Sequence, residues 1–135
     1  DPFPTYTTAA EVATALATAL ASGTYSPTLT NVANLDSSTG YTCQYLRVGT
    51  VVTVSGKVDV NPTAAASTQL AVSLPVASNL SASEDCSGTA FATGVAGQGA
   101  AILADAINNR AVMQWIAVDT TSQAMFFTFT YRILA

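Results

Sequence analysis

From Tyr25 onward the chain is written as short runs rich in Thr, Val and aromatic residues, each broken by Gly, Asn, Pro or Ser. This punctuation constrains the fold more than any other feature, because it is the pattern of strands and turns. Eight strands are predicted, near residues 26–35, 41–48, 51–60, 68–74, 87–95, 99–107, 111–118 and 123–134. The turn signals between them include Ser37-Ser38-Thr39-Gly40, Asn61-Pro62 and Leu74-Pro75. Gly49-Thr50 suits a two-residue type II′ hairpin and Asn108-Asn109 a type I′ one, and both joints make antiparallel neighbours. With no helix alternating between strands, the expectation is an all-β, eight-stranded antiparallel jelly-roll-like sandwich; an up-and-down barrel is the other closure. No fixed-period repeat points to a propeller or solenoid.

The residues before this pattern read differently. Asp1-Pro2-Phe3-Pro4 is an extended lead-in, since each proline turns the preceding residue away from the helical region. Thr8 with Glu11 three residues later makes a capping-box pattern, the Ala-rich run from residue 9 to 21 is helical, and Gly23 is the expected stop. A short N-terminal α-helix therefore precedes the sandwich, dividing the chain into residues 1–24 (lead-in and helix) and residues 25–135 (β-domain). On the helix, Val12, Leu16 and Leu20 recur every four residues as a narrow apolar packing stripe. A helix of about 14 residues is marginal alone in water, so the stripe packs either on its own β-domain or on symmetry mates.

Charge narrows the partners. Only 9% of the 135 residues are charged, against about 25% in an average globular chain, while half are apolar. Much of the surface is left to Ser, Thr, Asn, Ala and partner subunits. Arg47, Lys57, Arg110 and Arg132 are scattered within a net charge of −4, so the clustered basic footprint of a nucleic-acid binder is missing. The apolar runs are shorter than a bilayer requires, and membrane insertion is not expected.

Side chains alternate across a strand, so each strand offers two lists to compare. In residues 51–60 one face is dry, with Val52, Val54, Val58 and Val60, and Gly56 interrupts it where a bulge or a close neighbour is expected. The last strand carries Met125, Phe127, Phe129, Tyr131 and Ile133 on one side, yet Phe126 and Leu134 on the other. Residues 41–48 set Tyr41, Cys43 and Tyr45 against Leu46 and Val48, and residues 111–118 set Val112, Ile116 and Val118 against Met113 and Trp115. Strands apolar on both sides are either central and covered by the helix and loops, or lie at a subunit interface, which resembles a core cut in half. On the second reading Tyr41, Tyr45, Met113, Trp115 and Phe126 line that interface.

Signals for chemistry are sparse. Histidine is absent, and with it the commonest general base and metal ligand. Ser55 and Lys57 share a strand face, but a solvated Lys beside a Ser is far commoner than a catalytic dyad. Glu84-Asp85, Asp59 and Asn61 fall short of the oxygen set that calcium or magnesium needs. Residues 94–99 lack the G-x-G-x-x-G spacing and a following crossover helix, and Gly56-Lys57-Val58 is no P-loop. Asn79-Leu80-Ser81 is a glycosylation acceptor only in a eukaryotic secretory pathway. Cys43 and Cys86 permit one disulfide that a domain of this size does not require, and two buried free thiols are expected. Neither a catalytic site nor a cofactor is predicted.

The stretch Tyr41-Thr42-Cys43-Gln44-Tyr45-Leu46-Arg47-Val48-Gly49, with Thr53-Val54-Ser55-Gly56-Lys57-Val58, resembles the C-terminal β-domain of tail-fibre-like and other virion structural proteins of tailed bacteriophages. The ending Met125-Phe126-Phe127-Thr128-Phe129-Thr130-Tyr131-Arg132-Ile133 resembles the terminal strand of the same group. The resemblance implies a non-enzymatic homotrimer on the virion surface, assembled in the bacterial host cytoplasm. There it contacts other virion proteins and acts in host attachment by meeting a cell-surface receptor. A capsid decoration (cement) protein that stabilises the phage head is the alternative, and a secreted trimer of the C1q or tumour-necrosis-factor kind shares the expected architecture. Residues 61–67 and 78–87 are the candidate contact loops, although they carry no aromatic ring of the kind a carbohydrate platform exposes.

Overall fold

The structure, a computed structural model, describes residue 5 and residues 8–135. The lead-in expected at residues 1–4 lies outside them. Helix α1 (Ala9–Ala19) starts where the sequence places it, with the Thr8 hydroxyl accepting from the Glu11 N–H at 3.1 Å. It ends earlier than the Ala-rich run implies, because Leu20 is already extended and opens strand β1 (Leu20–Tyr25). Gly23, the expected stop, lies inside β1 with its Cα hydrogens against the Tyr45 ring. Six residue pairs to a strand at residues 43–48 outweigh helix propensity here.

Among the described residues ten strands are present where eight are expected. After β1 come β2 (Leu29–Ala33), β3 (Leu35–Gly40), β4 (Cys43–Val48), β5 (Val51–Pro62), β6 (Ser67–Val72), β7 (Cys86–Ala92), β8 (Gly99–Asp105), β9 (Arg110–Ile116) and β10 (Gln123–Arg132). The two additions are β1, from the helix tail, and β3, from the Ser37–Gly40 stretch read as a turn. Asn61-Pro62 likewise ends β5 instead of forming a turn. The fold is all-β with one short N-terminal helix, as expected.

All strand pairs are antiparallel, in the order β1-β4-β5-β10-β7-β8-β9-β6-β2, and β3 also pairs with β5. Asn34, at φ +58°, turns the chain between β2 and β3 and lets one covalent segment lie beside β6 and then beside β5. The sheet thereby curls, β3 contacting both β2 and β6, and opposite walls face each other across one core. That core holds Val52, Val54, Val58, Leu70, Met113, Trp115, Met125, Phe127, Phe129 and Tyr131. Along β10 the rings of Phe127 and Phe129 stack at 5.9 Å, and Phe129 meets Tyr131 at 6.2 Å. The Tyr131 hydroxyl donates to the Val76 carbonyl at 2.7 Å, tying the segment after β6 onto the core.

Both predicted hairpins exist, with one difference. Val48 pairs with Val51, and Gly49 takes φ +61° while Thr50 does not take positive φ, as a type II′ turn requires. At the second joint Asp105 pairs with Arg110, so the loop has four residues and only Asn109 enters the left-handed region, at φ +54°. The Asp105 carboxylate organises it, accepting from the Asn108 amide at 2.9 Å and from Arg110 Nε at 2.8 Å. A two-residue type I′ turn would forfeit those contacts.

Candidate functional site

Strand pairing assigns every side chain to the inner or outer face. In β9, Ala111, Met113 and Trp115 point inward, and Trp115 is only 5% and Met113 0% exposed. These two are core residues and not interface residues; on the opposite face Val112 is also buried, while Ile116 and, just beyond the strand, Val118 are largely exposed. Tyr45 is half-buried, its ring edge-on to Tyr25 at 6.2 Å, so it too belongs mainly to the interior. Phe126 and Tyr41 do face outward, Phe126 being 51% exposed. Of the five residues expected to cluster, the structure divides three from two.

The outward list holds residues that the pattern of alternation named but did not favour. Leu46 and Val48 on β4 and Val51 on β5 are about half exposed, and Val48 pairs with Leu20 on one side and Val51 on the other. Leu20 is also the last residue of the helical stripe. Val12, Leu16 and Leu20 are between 43% and 55% exposed, and the chief neighbour of α1 is β1, the strand it runs into. An apolar track therefore runs down the helix and turns onto the sheet at Leu20. The sequence signal for it was the two-sided β4 strand, read with the wrong face outward.

Beside this track the outer face becomes polar. Successive rows across β1, β4, β5 and β10 read Ser22, Leu46, Thr53, Thr130 and then Thr24, Gln44, Ser55, Thr128. Thr53 and Thr130 share a hydroxyl contact at 3.3 Å, and Gln44 Nε2 donates to Ser55 Oγ at 3.1 Å. At the far end, Tyr41 donates its hydroxyl to Asp59, and Lys57 Nζ sits 3.6 Å from Asp59 and 4.5 Å from the centre of the Tyr41 ring. The hydrogen bond to Asp59 holds the Tyr41 phenol above its ordinary range. Lys57 is thus engaged by Asp59 and Tyr41, and Ser55 by Gln44.

Cys43 and Cys86 are buried free thiols. Desolvation raises Cys43 and pushes Cys86 up to about 12, so neither is a ready nucleophile. Asp85 is committed to Arg132 and to backbone N–H groups, and Asp59 to Tyr41 and Lys57. Among the described residues no three His, Cys, Asp or Glu side chains gather as a metal site, and no helix is long and apolar enough to cross a membrane. The arrangement is suited to contact: an apolar track, a neutral hydroxyl-rich strip and exposed rings. Comparison with known families, curated proteins and solved structures finds no match for the chain.

Proposed function

We propose that this domain is a non-catalytic structural module that works as a homotrimer on the surface of a phage virion, as a fibre or adhesin part in host attachment. One observation carries the oligomer: the exposed track from Val12 and Leu16 through Leu20 to Val48, Val51 and Leu46. A helix of 11 residues is marginal in water unless its apolar stripe is covered, and a symmetric assembly brings identical stripes together. The low charge of the chain supports the same reading. The virion and the trimer rest on the likeness of residues 41–58 and 125–133 to phage fibre C-terminal domains.

Sedimentation velocity at about micromolar concentration tests the oligomer. A mass of three chains is expected, and Leu16→Glu with Leu20→Glu releases a monomer. A wild-type monomer under these conditions overturns the proposal. Electron cryo-microscopy of the particle tests the location. Density at a fibre tip supports attachment, whereas density on the head lattice replaces it with capsid decoration.

A further inference from the structure

Strand β5 is longer than its neighbours, and two strands share one of its edges. Strand β4 takes residues 51–55 and β3 takes residues 58–62. Where they part, beside Gly56 and Lys57, the outer face opens into a cleft of about 490 Å³. Its walls are Thr24, Thr42, Gln44, Ser55, Lys57 and Phe126, and Gly56 and Cys43 form the floor. A second groove of about 420 Å³ shares Gln44 and Ser55 and leads on to Ser22 and Thr53, so the two make one trough. Both volumes fall in the range of about 300–1,000 Å³ common for small-ligand sites.

The floor is built for this shape. Gly56 has no side chain, and the Cys43 thiol occupies the space a Cβ there would take. That thiol donates to the Tyr41 carbonyl at 3.3 Å, so the floor offers little polarity of its own. The walls supply hydroxyls from Thr24, Thr42 and Ser55 and the Gln44 amide. Because Gln44 gives an N–H to Ser55 Oγ, its carbonyl oxygen and the Ser55 proton are oriented for another partner. Among the described residues no carboxylate lines the cleft, and the cation there, Lys57, is already held by Asp59 and Tyr41.

Apolar ring surface adjoins the polar walls. Phe126 pairs in register with Phe91 on β7, and the two outward phenyl groups are 51% and 63% exposed on strands about 4.8 Å apart. Neutral donors and acceptors beside exposed rings match a pyranose, which carries hydroxyls around its edge and C–H groups on its face. A charged ligand would find its counter-ion engaged, and a purely apolar one would leave the hydroxyls unpaired.

We propose that this trough binds a neutral oligosaccharide, with one sugar stacked on Phe126 and the next hydrogen-bonded to Gln44 and Ser55. The site lies within a single chain. The first cleft shares no residue with the apolar track, whereas the second groove reaches Leu46, which belongs to it. Binding is therefore read at residues of the first cleft, apart from the oligomer.

The test is an amide NMR titration of the full chain with neutral tetrasaccharides of glucose, galactose, mannose and N-acetylglucosamine. At least one is expected to shift residues 42–45, 55–57 and 126 with a millimolar or tighter dissociation constant. Phe126→Ala and Gln44→Ala should each weaken it about fivefold to tenfold while leaving the melting temperature in place, since both side chains are exposed. No shifts with any sugar at about 10 mM overturn the proposal. So do shifts confined to another face, or undiminished binding by both variants.

Discussion

Arg132 holds a carboxylate that solvent does not reach: its guanidinium nitrogens lie 2.7 and 2.8 Å from Oδ1 of Asp85, whose side chain is wholly buried. Oδ2 accepts from the Ser81 and Ala82 N–H groups, each at 2.9 Å, and from the Ser81 hydroxyl at 3.0 Å. The two backbone donors, followed by Arg132, hold the carboxyl well below the usual carboxylate range. The unfolded chain releases this proton near pH 4, so the stability gained is fully present above that pH and is lost as the pH falls below it. The melting temperature is therefore expected to be flat from about pH 7 to about pH 5 and to drop on further acidification. Asp85→Asn should melt lower at neutral pH and show a shallower acid slope. An unchanged slope in thermal denaturation followed by circular dichroism would contradict this.

Gly56 and Cys43 form a second testable pair. A Cβ at position 56 would lie 2.3 Å from Cys43 Sγ and 3.2 Å from Phe127 Cζ, so Gly56→Ala forces an overpacked floor. It should cost about 1–3 kcal/mol in urea denaturation. Removing the sulfur with Cys43→Ala in the same chain should recover part of that loss. A double-mutant cycle with no coupling would show that the clash is relieved elsewhere.

The thiols themselves predict a labelling experiment. Burial raises both, Cys86 to about 12, so neither should react with Ellman's reagent at about pH 8 in the folded domain. Both should react in denaturant. Rapid native labelling of either one would mean that its strand opens locally.

Facing is testable by truncation. Trp115→Ala should cost about 3–5 kcal/mol and Met113→Ala about 2–5 kcal/mol, because each empties a core position. Phe126→Ala on the outer face should cost about 0.5 kcal/mol or less in the monomer. Trp115→Phe should be milder than Trp115→Ala, since the indole N–H finds no hydrogen-bond partner among the described residues. Reversed rankings in chemical denaturation would place the faces wrongly.

These faces also mark what the sequence could reveal. Alternation in β10 identified its core row outright, because Met125, Phe127, Phe129 and Tyr131 are large on one side and Thr128 and Thr130 relieve the other. In β9 both lists were apolar. Only the pairing with β6 and β8 determines that Met113 and Trp115 turn inward while Ile116 remains outside. The Ser37–Gly40 stretch carries turn residues, and its strand state comes from an edge of β5 far along the chain. Leu20 belongs by spacing to the helix and by backbone pairing to β1, and local propensity cannot weigh a partner 28 residues away at Val48. The cleft was hidden for the same reason, since its walls come from four separate strands.

The position of β10 between β5 and β7 sets an order on how this domain comes into being. A nascent chain that has not yet made residues 123–132 has both flanking strands but nothing to join them, so each presents a bare row of main-chain donors and acceptors. The two walls cannot be joined until residues 123–132 are available to pair with both. A chain cut short before that strand is left with two adhesive edges and no way to satisfy them within itself.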